Sequence, residues 1–203
     1  MAGTMPHAIF VETDLPDGSV AAYAAELPGC AVFGLTDAEA TAAIPIRVAR
    51  FTAWLRAAGE RTPEFVGDNW YEVERASATP DARAAFSLDE LPPSDEEFAA
   101  WVGWLELARE ELADALDECG PEGAADALDA IATQDAAFAA ALGGEPPNGH
   151  LNPVDQLYAA RQSLSDALDA AGPSADGVRR ILRIAIADDL RAVDRLRGED
   201  ASG

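Results

Sequence analysis

At 203 residues, with a formal net charge of −23 and 49% apolar side chains, the chain can bury one good core or two small ones and reads as globular. Its cationic side chains are all Arg, since there is no Lys, and they are not gathered into one patch, so the acidity argues against nucleic-acid binding and against docking on an anionic membrane. No window approaches the roughly 18 to 20 uninterrupted apolar residues of a spanning helix, and Met1 to Phe10 has no cationic segment followed by an apolar one, so a cytoplasmic location is expected.

His7 to Glu12 is apolar and β-compatible, and Leu15-Pro16-Asp17-Gly18 supplies turn chemistry before a second run, Val20 to Ala25. Leu27-Pro28-Gly29 turns the chain into a third run, Cys30 to Leu35. Thr36 can cap the next helix, with Glu39 three residues on completing a capping box. Ile44, Val48, Phe51 and Leu55 then recur at helical spacing, so one face of this helix should cover the small sheet. Trp54 sits beside that stripe as an anchor, and Gly59 offers a stop. One more short strand is expected around Trp70 to Val73. Residues 77–94 are rich in Pro, Asp and Ser with little periodicity and read as a linker.

Beyond it the pattern is helical. Phe98, Trp101, Leu105, Ala108, Leu112 and Leu116 are spaced by threes and fours, as are Leu128, Ile131, Asp135, Phe138 and Leu142. Val154, Leu157, Leu164 and Leu168 give a third helix, and Val178, Leu182, Ala185, Asp189, Val193 and Leu196 a fourth. Gly120-Pro121, Gly143-Gly144 and Gly172-Pro173 separate them. The expected fold is therefore α+β, a small β-β-β-α-β domain over 1–76, a linker over 77–94, an all-α four-helix bundle over 95–198 and a disordered tail over 199–203. Leu105 to Pro121 and Leu157 to Pro173 align without a gap and share Leu-x-x-Ala-Arg-x-x-Leu, Asp-Ala-Leu-Asp and the closing Gly-Pro. The first and third bundle helices are thus candidate structural equivalents. Cys30 and Cys119 lie far apart with no Cys-x-x-Cys or Cys/His cluster, so both are expected to be small buried hydrophobes.

The first third, through Gly18 to Tyr23, Leu27-Pro28-Gly29-Cys30, Gly34-x-Thr36, Glu39-Ala40 and Gly59-Glu60, resembles the HicB-like antitoxin family over about His7 to Val73. The resemblance implies a compact unit related to a partial ribonuclease H fold, which in such antitoxins binds and blocks a small basic ribonuclease toxin while a separate segment binds DNA. Here the segment that follows is acidic and helical, with neither a helix-turn-helix nor a ribbon-helix-helix signature.

The second half, through Trp104-Leu105-x-Leu-Ala-Arg-x-x-Leu, Ile131 to Phe138 and Arg180 to Asp189, resembles the DinB-like four-helix bundles over roughly Ser94 to Gly198. Active members of that family bind a divalent metal through three histidines, and relatives act in thiol transfer or isomerisation. The equivalent positions here are Ala130, Asp188 and Ala192. The only histidines are His7 and His150, and one loop His with scattered carboxylates does not make a transition-metal site. No cofactor is expected.

Asp135 falls on the apolar seam of its helix, and Asp188 and Asp189 straddle the seam of the last one, where a lone carboxylate is costly unless paired or protonated. These three form the candidate buried polar site. Two readings stand: a residual site in which Asp135, Asp188 and His150 meet a cation or polar ligand, or carboxylates that pair with Arg161, Arg179 or Arg183 or turn to solvent. No Gly-x-Ser-x-Gly elbow, phosphate loop or dinucleotide fingerprint occurs, and the missing Lys excludes Schiff-base and Walker-type chemistry. The leading expectation is a non-catalytic interaction protein whose partner is a small molecule or protein; a metal-dependent transferase or hydrolase with atypical ligands and a toxin-neutralising antitoxin are the alternatives. Open sheet edges and flat helix faces both permit a homodimer.

Overall fold

The computed structural model describes residues 7–63, 65, 69–79, 82–120, 125–145, 147 and 152–198. The elements run β1 (His7–Thr13), β2 (Val20–Ala24), β3 (Ala31–Gly34), α1 (Asp37–Ala57), β4 (Trp70–Ser77), a 3-10 turn (Ser87–Glu90), α2 (Asp95–Cys119), α3 (Ala125–Ala141), α4 (Pro153–Ala171) and α5 (Val178–Arg197). This is the expected α+β class. The chain divides into two compact units between Leu88 and Asp89.

In the first unit the strands follow the order β3-β2-β1-β4, antiparallel except for the parallel β1–β4 pair. Both hairpin turns follow their residues: Gly18 N–H donates to Leu15 O at 2.8 Å, and Cys30 N–H donates to Leu27 O at 2.9 Å. Gly29, at φ +85°, holds the left-handed position that a Pro-Gly turn requires. The predicted capping box forms at Thr36 and Glu39, and Ile44, Val48, Phe51 and Leu55 are all buried.

The β1–β4 register jumps between Ile9/Glu72 and Phe10/Glu74, leaving Val73 as a bulge. Strand alternation therefore puts Glu72 and Arg75 on the face of Ile9 and Val11, while Glu74 shares the face of Phe10 and Glu12. The first face is the one α1 covers, since Arg75 pairs with Asp37 at the helix start at 2.9 Å. On the other face Phe86 stacks on Phe10 at 4.7 Å, and Ser87 N–H and Oγ bond the Glu74 carboxylate. The structure packs part of the 77–94 stretch expected as a linker, with Ala78, Ala84, Phe86 and Asp89 buried, and the division between the two units falls inside it. It also extends β4 past Val73 to Ser77, because main-chain pairing with β1 continues under the charged residues that interrupt the apolar run.

In the second unit four long helices share an apolar core. Leu112, Ala115 and Leu116 of α2 meet Leu128, Ile131 and Ala132 of α3, Leu157 and Ala160 of α4, and Ala192 and Val193 of α5. The predicted separators act as stops, with Gly120 and Gly172 closing α2 and α4. The tail over 199–203 lies outside the described residues. Cys30 is buried as expected, but Cys119 ends α2 and is exposed, because the apolar stripe of α2 finishes at Leu116. No helix among the described residues is long and apolar enough to cross a membrane.

Candidate functional site

The polar cluster of the second unit begins with two arginines that follow buried alanines. Arg109 comes after Ala108 on α2 and Arg161 after Ala160 on α4, equivalent places in the sequence repeat. One residue off the seam of a helix, a long side chain can still curl inward. Arg161 is 5% exposed, and the Arg109 side chain is nearly as enclosed. Facing them, α3 supplies Asp135 and α5 supplies Asp189, both buried, with Asp188 half-buried beside them.

The cations divide the work unequally. Arg161 Nη2 donates to Asp189 Oδ1 at 2.5 Å. Arg109 Nη2 lies 3.5 Å from Asp135 Oδ2, an ion pair too long for a hydrogen bond, while its Nη1 donates to Ser165 Oγ at 2.6 Å and to Arg161 O at 3.3 Å. Gln134 Nε2 donates to Asp188 Oδ2 at 2.8 Å. Asp135 Oδ2, Arg109 Nε and Nη2, and Arg161 Nε are all buried without a hydrogen-bond partner.

Burial dominates the proton equilibria. It pushes the Asp135 carboxyl up to about 7, reinforced by the nearby Asp189 charge and only partly offset by Arg109 and Arg161. Burial also raises Asp189, against the pull of Arg161, and lowers Arg109 from the usual guanidinium range. Chemically the cluster can hold one proton near neutrality on Asp135 and can balance charge internally. Its two guanidinium groups would repel a divalent cation. Among the described residues, no three His, Cys, Asp or Glu side chains converge as a metal site requires.

No family model, curated protein or solved structure matches the chain.

The predicted site is therefore assembled in part. Asp135 and Asp189 come together in the core, Asp188 stands at its margin, and His150 lies outside the described residues. Of the arginines expected as partners, Arg161 takes the role. Arg183 instead pairs with buried Asp89 at 2.7 Å. Arg179 lies 4.5 Å over the Trp101 ring, donates to Leu91 O and sits 3.9 Å from Glu97. The main partner of Asp135, Arg109, was not anticipated, although the repeat that equates it with Arg161 carried the signal.

A second charged node, also unanticipated, closes the first unit. Glu12 on β1 is fully buried, and its carboxylate accepts from Arg83 Nε and Nη2 at 3.0 Å, from Tyr23 Oη at 2.7 Å and from Ala84 N–H at 2.5 Å. Burial alone would raise its pKa; the Arg83 pair and these bonds together hold it below the ordinary 4.5. Every carboxylate oxygen is used, so the node is a structural pin. Cys30, its thiol pushed up to about 12 by burial, is inert, and His7 packs on Trp70 and Phe65 at 4.7 and 5.1 Å. An open groove between the α3–α4 connection and α4, lined by Gly143, Gly144, Glu145, Gln162, Ser163 and Asp166, contains no buried charged group.

Proposed function

We propose that the chain is a non-catalytic interaction protein of the cytoplasm, an HicB-like module joined to a DinB-like four-helix bundle that has lost its metal chemistry. The observation that carries this reading is the fate of the carboxylates in the helical core. Asp135 and Asp189, the only fully buried acids on α3 and α5, face Arg109 and Arg161 rather than each other across an open cavity. The three positions set against the metal-binding histidines fit the same reading: Ala130 is exposed, Ala192 is a buried methyl in the apolar core, and Asp188 is held by Gln134. A cation entering there would have to displace an arginine from its carboxylate, at the cost of leaving a guanidinium buried and unpaired.

Elemental analysis of the full chain, followed by calorimetric titration with zinc, nickel and manganese, tests this directly. The expected result is no stoichiometric metal and no heat of binding at micromolar metal. Tight binding of any of the three that disappears in Asp135→Asn or Asp189→Asn would overturn the reading in favour of a metal-dependent enzyme.

A further inference from the structure

We infer that Arg109 is a proton-operated latch in the helical core, bonded to α4 while the Asp135 carboxyl is neutral and drawn onto α3 when that carboxyl ionises. Two equivalent pairs, one closed and one open, carry this. Arg109 and Arg161 occupy matching places in the sequence repeat, and each faces an aspartate on the helix that follows its own, Asp135 on α3 and Asp189 on α5. The Arg161 pair is closed, with Nη2 donating to Asp189 Oδ1 at 2.5 Å. The Arg109 pair is open: Nη2 is 3.5 Å from Asp135 Oδ2, and that oxygen, Nη2 and Nε are all buried without a hydrogen-bond partner. Arg109 is instead tied across to α4, where Nη1 donates to Ser165 Oγ at 2.6 Å and to Arg161 O at 3.3 Å.

The charge on Asp135 decides which tie Arg109 keeps. The charged groups around that carboxyl are Arg109 of α2, Arg161 of α4, and Asp188 and Asp189 of α5; burial, with the charges of the two other acids, keeps it protonated up to about 7. Glu106 adds a charge beside Arg109 on its own helix. A neutral carboxyl offers the guanidinium no more than the Ser165 hydroxyl and a main-chain carbonyl already do. A carboxylate offers a charge-assisted bond roughly twice as strong, at about 2.8 Å. The guanidinium is a rigid planar fork, so drawing Nη2 in by about 0.7 Å displaces Nη1 as well. The 3.3 Å bond to Arg161 O has no slack to follow. Ionisation thus exchanges a tie between α2 and α4 for one between α2 and α3. The latch rests on the metal-free reading of this cluster.

NMR of the full chain, checked for metal by elemental analysis, tests the latch by following the Asp135 carboxyl carbon and the Arg109 Nε–H from about pH 5 to about pH 8. The two signals should move together with one midpoint close to neutrality, and in Asp135→Asn the Arg109 signal should stay flat. Ser165→Ala removes the acceptor that competes with Asp135, so in that variant the Asp135 midpoint should fall by about half to one pH unit. Circular dichroism confirms that both variants are folded. An Arg109 signal that ignores the Asp135 titration in the wild type would overturn the latch and leave the metal-free reading intact. An Asp135 midpoint that is unchanged or raised in Ser165→Ala would do the same. Stoichiometric metal in the purified chain would overturn both.

Discussion

Replacing Asp135 with Asn removes a buried charge while keeping the shape of the side chain, and two physical arguments make opposite forecasts for it. If the Arg109–Asp135 pair acts as a well-formed buried salt bridge, deleting one partner should cost about 3–5 kcal/mol. The geometry favours the other outcome. Asp135 Oδ2 accepts no hydrogen bond, Arg109 is 3.5 Å away and spends its Nη1 on Ser165 and the Arg161 carbonyl, and Asp189 adds a second negative charge nearby. The carboxyl accordingly sits at about 7 in the folded chain against 3.8 for an ordinary aspartate. An acid whose folded pKa is raised binds its proton more tightly in the native state. It stabilises the fold at low pH and loses that contribution as pH rises through the folded value. Between pH 5 and pH 8 the loss spans about two pH units of titration, or about 2.7 kcal/mol at 1.36 kcal/mol per unit. Asp135→Asn resembles the protonated acid and should lose this dependence, so its stability relative to wild type should improve by about 2–3 kcal/mol from pH 5 to pH 8. Urea unfolding followed by the fluorescence of Trp101 and Trp104, at both pH values and with m compared between variants, measures it. Parallel pH profiles for the two proteins, or a variant destabilised by about 3–5 kcal/mol at pH 8, would refute the reasoning.

Three further outcomes are expected. Arg83→Ala leaves Glu12 charged, fully buried and short of its main partner, and should destabilise the first unit by about 3–5 kcal/mol by urea unfolding. In the wild type the contribution of Glu12, whose folded pKa is depressed, should be present above pH 4.5 and fall away as pH drops through the lower folded value, and acid titration of Arg83→Ala should show that step reduced. Gly144→Ala would place a methyl 2.9 Å from the Ala167 Cβ and 3.1 Å from the Ala139 carbonyl, and should cost about 1–3 kcal/mol in thermal or chemical unfolding of the second unit. Ser94→Ala removes the hydroxyl that accepts from Glu97 N–H at the start of α2 and should cost about 1 kcal/mol, with the loss of helical signal beginning at that end of α2 in amide exchange.

Local chemistry was legible in the sequence wherever both partners lay close together. The turn at Leu27 to Cys30, the Thr36–Glu39 box, the apolar stripe of α1 and the Gly stops after α2 and α4 all involve residues within a few positions of one another, and propensity and spacing report on such pairs. What escaped was long-range pairing of charge. Glu12 and Arg83 are 71 positions apart, and nothing in the strand around Glu12 or in Asp81-Ala82-Arg83 announces that they meet. The same holds for Asp89 and Arg183, which are 94 apart. A Pro- and Asp-rich stretch looks like a linker because it lacks periodicity, yet a segment can be packed without being periodic when scattered apolar residues such as Ala78, Ala84 and Phe86 make its contacts. Within the helical core, Asp135 and Asp189 were visible as polar breaks in an apolar stripe, whereas Arg109 was masked by its place just off that stripe.

The packing of Ala84, Phe86 and the Arg83 guanidinium on the sheet also bears on how the chain is made. Synthesis delivers β1 to β4 first, but one face of that sheet, with Phe10, Tyr23 and the Glu12 carboxylate, stays uncovered until the ribosome has released residues to about 86. A fragment ending at Ser77 would carry four complete strands and a buried acid with no counter-ion. The first unit therefore becomes self-sufficient only about ten residues after its last strand is finished, and any expression boundary or proteolytic nick placed in that stretch should act on the sheet rather than on the connection it appears to cut.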